Sequence, residues 1–195
     1  MEKPKFYNVP NEHLMLRLDD GKNVVKRDIW ISRATSVDGI VLAITDDGMN
    51  VLITKRSDKM RDETNKYCIP CGYLDFGETR HEAMIREVYE ETSLYLPDYK
   101  KYIIFDNGEQ PFMVKDNPKD SKNQNIANIY ITVLDFRGNI QDFPIGIEKF
   151  SCAETSMVKW ISAFDFYNEK REWAFNHEDA IDSAFDFFNS IHDEK

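Results

Sequence analysis

The sequence predicts an α+β fold, in which strands and helices pack as a sandwich rather than alternating as βαβ units. Three observations lead to it. Apolar runs of strand length occur both before and after the middle of the chain. A helical pattern separates them, and an amphipathic pattern follows near the end. At 195 residues, the chain has room for one domain, or for one domain with an extension.

Apolar runs bounded by turn residues mark the predicted strands. Val37–Thr45 and Asn50–Thr54 come first, and the Asp-Asp-Gly stretch at residues 46–48 between them is a hairpin signal. Further predicted strands follow at Tyr67–Ile69, Tyr102–Phe105, Ile126–Phe136 and Met157–Ile161. A long loop of residues 137–156 precedes the last of these strands.

Two segments have the periodicity of an α-helix. The first spans roughly Thr79 to Ser93, and Thr79 with Glu82 forms a capping box that fixes its start. Its core-facing arc consists of Met84, Ile85, Val88 and Thr92. The second covers residues 176–192, with Asn176 as the cap. Its apolar face consists of Ile181, Ala184, Phe185, Phe188 and Ile191.

The polar and mixed residues 1–27 are expected to form an N-terminal extension, and residues 28–195 a single domain. The extension could be an edge strand, an arm swapped between the subunits of a homodimer, or a loose tail. These alternatives stay open, because the sequence does not define the oligomeric state.

The net charge of −10 restricts the expected partners, since it disfavours nucleic acid and anionic membranes. An anionic small molecule stays compatible, because a bound divalent cation reverses the local field. No apolar run approaches the roughly 18 residues of a membrane helix. The start, MEKPKFYNVPNEHLML, lacks the basic-then-apolar pattern of a signal peptide. We therefore expect a cytoplasmic protein without nucleic-acid or membrane partners.

The chain has three cysteines, Cys68, Cys71 and Cys152, and the odd number does not suggest a disulfide framework. Cys68 and Cys71 form a C-x-x-C pair, which occurs in zinc and redox sites. No second C-x-x-C or H-x-x-x-H pattern follows to complete a zinc site. The favoured interpretation is two small residues where a strand passes into a loop.

The first helix crowds Glu87, Glu90 and Glu91 on one arc beside its apolar face. Like charges at such spacings cost about 0.2–0.5 kcal/mol per pair. A solvated helix face would tolerate this cost. However, the glycine-bearing loop of residues 71–78 can bring backbone carbonyls to the same arc, and hard divalent cations prefer such oxygen ligands. Arg86 could hold a neighbouring carboxylate in place through a bidentate contact.

Residues 72–94, GYLDFGETRHEAMIREVYEETSL, resemble the Nudix box, G-x5-E-x7-R-E-U-x-E-E-x-G-U, in which U is aliphatic. The matching residues are Gly72, Glu78, Arg86, Glu87, Val88, Glu90, Glu91 and Leu94. Every charged position of the box is matched at the required spacing. The departure is Ser93, where the family usually has glycine. That position ends the helix, and serine there touches no charged ligand.

The resemblance implies a Nudix fold, a mixed β-sheet sandwiched between α-helices. It also implies metal-dependent hydrolysis of a nucleoside diphosphate linked to another moiety, with Mg²⁺ or Mn²⁺ as the cofactor. The implied ligands are Glu87, Glu90 and Glu91, with Glu78 nearby, together with the backbone carbonyl of Cys71. In some members the glutamate matching Glu87 is the general base, so its role stays open.

Three residues outside the box complete the expected site. In Nudix proteins a basic residue after this strand often contacts the substrate phosphate, and Arg56 is the candidate. Many members also use an acidic residue from a loop before a late strand. Glu154 is the first choice for that role, and Glu148 is the second. The alternative is a non-catalytic nucleotide-binding or regulatory module, but such proteins typically lose box glutamates that this chain retains.

Overall fold

The described part of the chain contains ten β-strands and three α-helices. The computed structural model describes residues 10–17, 24–30, 34–60, 62–116, 125–143, 145 and 154–193. The strands are β1 (Pro10–Arg17), β2 (Val24–Trp30), β3 (Thr35–Thr45), β4 (Gly48–Arg56), β5 (Tyr67–Cys68), β6 (Cys71–Tyr73), β7 (Ile103–Asp106), β8 (Met113–Lys115), β9 (Ile126–Asp135) and β10 (Thr155–Ser162). The helices are α1 (Arg80–Thr92), α2 (Ala163–Asn168) and α3 (His177–Asp193). None of the described helices has the length and apolarity needed to cross a membrane.

Strands β3 and β9 lie side by side near the centre of an eight-stranded sheet with the order β10-β4-β3-β9-β7. The short strands β5, β6 and β8 add to β4, β3 and β9 respectively. β3 and β9 run parallel, with Leu42 opposite Val133. The other pairings in this sheet are antiparallel, as where Leu42 of β3 lies opposite Val51 of β4. The sheet is therefore mixed.

The two faces of the sheet bury two separate apolar cores, because successive side chains of a strand point to opposite faces. Ile40 and Leu42 of β3 belong to one core, and Val41 and Ala43 belong to the other. α3 covers the first core with Ala180, Ile181, Ala184, Phe185 and Phe188. α1 covers the second core with Ala83, Met84 and Val88. The mixed sheet thus lies between helices, which confirms the predicted fold class.

The N-terminal strands β1 and β2 form a two-stranded antiparallel sheet of their own. Leu14 lies opposite Arg27, and Leu16 lies opposite Val25. Strand β2 runs from Val24 to Trp30 and so crosses the expected boundary between residues 27 and 28. The division of the chain at that boundary stays a prediction. The two described strands that precede the main sheet pair with each other as an antiparallel sheet.

Within the main sheet and its helices, the strongly patterned elements lie where the sequence places them, and the differences concern short elements. Strands β6 and β8 have three residues each and α2 has six, which is too short for a periodic pattern. Asn176, the expected cap of the last helix, has a left-handed backbone with φ 55°. Within the expected loop of residues 137–156, residues 144 and 146–153, which include Glu148 and Cys152, lie outside the described residues.

Candidate active site

Helix α1 begins and ends as its sequence predicts. The Thr79 hydroxyl accepts a hydrogen bond from the Glu82 N–H at 3.2 Å, and the Thr79 N–H donates to the Glu82 carboxylate at 2.7 Å. This capping box satisfies two N–H groups that have no partner within the helix. At the other end, Ser93 adopts the left-handed conformation with φ 62°, and its N–H donates to the Tyr89 carbonyl. The acidic helix therefore has fixed ends.

The apolar side of α1 lies unusually close to the central strand β3. A Cβ built on Gly39 would lie 2.7 Å from Cγ2 of Val88, which is too close for two carbon atoms. Glycine at this position lets the helix approach the sheet. Met84 and Val88 are buried in the contact, as expected, and Ile85 is only partly buried at its edge. This close packing fixes the distance between the sheet and the helix that carries Glu87, Glu90 and Glu91.

Arg86 gathers the carboxylates of the box around one guanidinium group. It binds both oxygens of Glu78, at 3.0 and 2.8 Å, and also contacts Glu87 at 2.7 Å and Glu90 at 3.1 Å. Its remaining contact is the Tyr73 carbonyl at 2.9 Å. The hydrogen bonds from Arg86 lower the pKa of Glu78 and, in return, the Glu78 carboxylate raises the pKa of Arg86. Arg86 thus orients three acidic side chains and offsets part of their repulsion.

Glu87 lies closely against the backbone of β6. A Cβ built on Gly72 would lie 2.1 Å from Oε1 of Glu87, so only glycine leaves room for this carboxylate. Burial raises the pKa of Glu87 above its ordinary value. Arg86 opposes this shift, while the charges of Glu90 and Glu154 add to it. A carboxylate placed where its charge is unfavourable indicates a position that a cation would stabilise.

Glu91 is buried on the side of α1 that faces the sheet, with 6% of its surface exposed. The hydroxyl of Thr54 in β4 donates a hydrogen bond to Oε2 of Glu91 at 3.3 Å. Burying a carboxylate has a cost that its interactions must offset. Its position one turn beyond Glu87 places both carboxylates on the same side of the helix.

The backbone of β6 supports the expected role of the Cys71 carbonyl. The Gly39 N–H donates to the Pro70 carbonyl and the Leu74 N–H donates to the Thr35 carbonyl, so alternate residues direct their backbone groups toward β3. Cys71 and Tyr73 therefore direct their carbonyls to the opposite edge. Arg86 contacts the Tyr73 carbonyl at that edge. One carbonyl and several carboxylates form an all-oxygen donor set, which fits Mg²⁺ or Mn²⁺.

The structure brings Glu154 close to this cluster and holds Arg56 in contacts of its own. Glu154 precedes β10, its carbonyl accepts from the Ser57 N–H at 2.7 Å, and its charge acts on Glu87. The guanidinium of Arg56 contacts the Asp62 carboxylate at 3.2 Å and lies 4.8 Å from the centre of the Phe175 ring. Glu148 lies outside the described residues.

A cavity of about 550 Å³ adjoins the cluster at Glu78. Its walls include Arg80, His81, Glu109 and Asn128, and Arg80 donates to the Asn128 carboxamide oxygen at 2.8 Å. These lining residues come from α1, β9 and the segment before β8. No local pattern in the sequence could assign them to one site, because only the folded sheet brings them together.

A second polar cluster, also unexpected, lies behind β6. Ligand atoms of Asp38, Cys71 and His177 all lie within 4.8 Å of one another, and the Cys68 thiol lies 3.1 Å from the Thr54 hydroxyl. A hydrogen bond from Cys71 lowers the pKa of the Cys68 thiol, and the pKa of Cys71 is correspondingly raised. The C-x-x-C pair thus has a His and an Asp beside it, supplied by distant segments rather than by a neighbouring motif.

Comparisons with known proteins agree with this geometry. The NUDIX domain model matches residues 35–182. The chain is 32% identical over 87 residues to the ADP-ribose pyrophosphatase of Methanocaldococcus jannaschii, which is 42% of this chain and 47% of that protein. It is 42% identical over 53 residues to Nudix hydrolase 3 of Caenorhabditis elegans, which is 27% of this chain and 22% of that protein. The chain therefore spans less than half the length of these two relatives.

Solved structures show the same fold at low sequence identity. A bifunctional NMN adenylyltransferase/ADP ribose pyrophosphatase from Francisella tularensis, complexed with AMP and a manganese ion, has a TM-score of 0.60 and 23% identity over 80% of this chain and 42% of that one. The NUDIX domain of Shewanella oneidensis NrtR, complexed with ADP ribose, has a TM-score of 0.59 and 17% identity over 82% of this chain and 90% of that one. Since the family model covers more than half of the sequence, including all of α1 and the central strands, the chain belongs to the Nudix family.

Proposed function

We propose that this protein hydrolyses the diphosphate linkage of a nucleoside diphosphate joined to another moiety, with a divalent cation. The observation that carries the proposal is the pair formed by the buried Glu91 and the half-buried Glu87, which lies against Gly72 of β6 and is held by Arg86. Such an arrangement is unfavourable on its own and becomes favourable around a cation. The resemblance to an ADP-ribose pyrophosphatase supports the same chemistry.

The residues that would hold Mg²⁺ or Mn²⁺ are Glu87, Glu90 and Glu91, with Glu78 and the Cys71 carbonyl. A cation bound there would neutralise the diphosphate and increase the acidity of a bound water. Arg86 orients the carboxylates through its contacts with Glu78, Glu87 and Glu90. Glu154 is the proposed base that accepts a proton from the attacking water, and Glu87 is the alternative.

The cavity beside Glu78 provides room for part of the substrate. Its volume of about 550 Å³ lies within the range of small-molecule sites. Nucleotide sugars, ADP-ribose, dinucleoside polyphosphates and modified nucleoside triphosphates are the candidate substrates. Arg56 stays the proposed phosphate contact. Its partner Asp62 has a side chain that is 63% exposed, whereas that of Arg56 is 9% exposed, so a phosphate would replace Asp62 from the solvent side.

One experiment tests the function directly. The protein is incubated with Mg²⁺ or Mn²⁺ and a panel of these nucleoside diphosphate derivatives, and released mononucleotide is measured. We expect Glu91→Gln to lower kcat by about 100-fold or more, because it removes a ligand charge while keeping the shape of the side chain. The matched control is Glu172→Gln, outside the cluster, which should keep its activity. An unchanged thermal unfolding midpoint would exclude misfolding as the cause.

The alternative function is a non-catalytic nucleotide-binding or regulatory module with the same fold. It would be supported if no compound in the panel were hydrolysed while nucleotide binding was retained. Small-molecule nucleotides are the partners expected in either case. The homodimer also stays a prediction, and size-exclusion chromatography with light scattering measures it.

A further inference from the structure

Behind β6, polar side chains from distant segments meet: ligand atoms of Asp38 on β3, Cys71 on β6 and His177 at the start of α3 all lie within 4.8 Å of one another. Cys68, on the other side of the Ile69–Pro70 bend from Cys71, lies beside the Thr54 hydroxyl. Asp38, Cys68 and His177 expose 4%, 2% and 2% of their surfaces. A buried group of this kind suits either a soft metal ion or dithiol chemistry.

The hydrogen bonds of His177 decide between these two chemistries. The Ile69 N–H donates to Nδ1 of His177 at 3.2 Å, so Nδ1 is an acceptor and the ring proton is on Nε2. Nε2 faces the Asp38 carboxylate at 3.5 Å. A ring nitrogen that carries a proton has no lone pair to give to a metal. The hydrogen bond from the Ile69 N–H therefore disfavours His177 as a zinc ligand, and a zinc site here would need that ligand.

We propose that Cys68 and Cys71 are a reversible disulfide site. The two cysteines are three residues apart, which is the spacing of dithiol pairs that form reversible disulfides. The Cys71 sulfur lies within 4.8 Å of a ring nitrogen of His177, and the same ring accepts the N–H of Ile69, which lies between the two cysteines. Both cysteines are free thiols, and a bend of only two residues separates the short strands that carry them. The bend lies against His177 and so has a fixed shape in the folded protein.

The oxidation needs a two-electron oxidant, either a low-molecular-weight disulfide or hydrogen peroxide. With a disulfide, one cysteine thiolate attacks a sulfur of the oxidant and releases one thiol. The second cysteine then attacks the resulting mixed disulfide, forms the Cys68–Cys71 bond and releases the second thiol. The protein loses two protons and two electrons, and the oxidant is reduced to two thiols. With peroxide, the first product is a sulfenic acid, and two water molecules are formed overall.

Each of the two cysteines is connected to the acidic cluster through one neighbouring residue, Thr54 for Cys68 and Gly72 for Cys71. The coupling argued from these connections rests on the proposed function. Cys68 contacts the Thr54 hydroxyl, and the same hydroxyl donates to Glu91. Cys71 directly precedes Gly72, on which Glu87 lies. Joining the two sulfurs therefore moves both supports of the cation site. We expect the oxidised protein to bind Mn²⁺ about 10-fold more weakly, as when a ligand loses its hydrogen-bonding partner.

The disulfide can be detected without any enzyme assay. Trypsin cleaves after Lys66 and after Arg80, so one peptide, residues 67–80, contains both cysteines. The full-length protein is equilibrated in buffers of reduced and oxidised glutathione, alkylated and digested. We expect this peptide to lose two hydrogen atoms in the oxidising buffers and to regain them on reduction. Mn²⁺ binding is measured by calorimetry on both forms.

Two variants provide the controls. Cys68→Ser keeps a hydroxyl beside Thr54 and should make Mn²⁺ binding independent of the glutathione ratio. Cys152→Ser should respond to oxidation as the unchanged protein does. A peptide that stays reduced throughout, or stoichiometric zinc retained by the thiols of the purified protein, would overturn the disulfide site. A disulfide that leaves Mn²⁺ affinity unchanged would overturn its coupling to the cation site, whereas failure of the hydrolase assay alone would sink only the proposed function.

Discussion

At the scale of single residues, two glycines set the position of α1, and they act on opposite sides of it. Gly39 makes room for Val88 on the apolar side, and Gly72 makes room for Glu87 on the acidic side. The two contacts involve adjacent positions of the helix and neighbouring strands of the sheet. A methyl group added at either site therefore tests packing and chemistry separately.

We expect Gly72→Ala to displace the Glu87 carboxylate and to weaken Mn²⁺ binding about 10–100-fold, with a proportional loss of hydrolysis. The reason is the 2.1 Å separation between a Cβ at this position and Oε1 of Glu87. Gly39→Ala is the matched control, because its Cβ meets Val88 and so costs stability, about 1–3 kcal/mol for an overpacked core. Calorimetry and urea denaturation distinguish the two. Equal Mn²⁺ affinities in both variants would contradict this assignment of Gly72.

The pair His81–Asp106 gives a prediction about pH. The 2.9 Å hydrogen bond to Asp106 raises the pKa of His81, so its contribution to stability is complete below the ordinary histidine pKa of 6.5 and is lost as the pH rises through the raised value. Burial opposes ionisation of Asp106, but hydrogen bonds from His81, Gly108 and Thr132 outweigh it and lower the pKa of Asp106. That contribution is complete above 3.8 and is lost in stronger acid.

The ion pair therefore stabilises the fold most between these two limits. We expect Asp106→Asn to lower the free energy of unfolding by about 1 kcal/mol more at roughly pH 5.5 than at roughly pH 9. Urea denaturation at both pH values measures the difference. His81→Gln should show the same dependence, and a cost that does not change with pH would show that the charge of His81 is not involved.

Sequence patterns could name candidate residues of the site but not most of the contacts that these residues make. The spacing of the box is local, so the sequence alone places Arg86 beside Glu87. The bidentate contact with Glu78 depends on how the loop of residues 71–78 folds back. Asp38 and His177 were missed at the C-x-x-C pair because they are distant in sequence.

At the scale of elements, α1 shows how a helix can depart from its family pattern. Ser93 has φ 62°, a left-handed conformation that costs a residue with a Cβ about 1–2 kcal/mol. We expect Ser93→Gly to stabilise the protein by about 0.5 kcal/mol, since glycine relieves this strain but loses more backbone entropy on folding. The unfolding free energy from urea denaturation is the measurement.

Ser183→Gly is the comparison for Ser93→Gly, because Ser183 lies inside α3. There we expect a loss of about 0.5 kcal/mol, since glycine is the poorer helix former. Loss of stability in both variants would mean that the side chain of Ser93 matters more than its backbone conformation.

Elements with a long repeating pattern could be predicted, and those formed by tertiary pairing could not. The observed ends of β3, β4 and β9 all lie within two residues of the predicted ends, because apolar runs define these strands in the sequence. β8 exists through its pairing with β9, where Met113 lies opposite Ile129. The three residues of β8 carry no period of their own.

At the scale of the whole molecule, the sheet links α3 to the box on its other face. His177 at the start of α3 accepts the N–H of Ile69, which lies between the two cysteines preceding Gly72. Thr54 of β4 then connects Cys68 to Glu91 on α1. The cation site, the C-x-x-C pair and the C-terminal helix therefore form one continuous set of contacts.

The last prediction follows from the net charge of −10. A protein of this charge repels an anionic diphosphate at long range, so attraction must be local and must come from a bound cation. Chelation should therefore abolish hydrolysis. Raising monovalent salt from about 0.05 to about 0.3 M screens the long-range repulsion and should change kcat/KM by less than about threefold.

The control for this prediction is chelator followed by excess Mn²⁺, which should restore the rate. The opposite result would be a steep loss of kcat/KM with salt at saturating cation, as for ligands held by lysine and arginine. That result would mean that basic side chains, rather than the cation held by the acidic arc, supply most of the attraction for the phosphate. The two outcomes differ in sign as well as in size, because screening strengthens association in the first case and weakens it in the second.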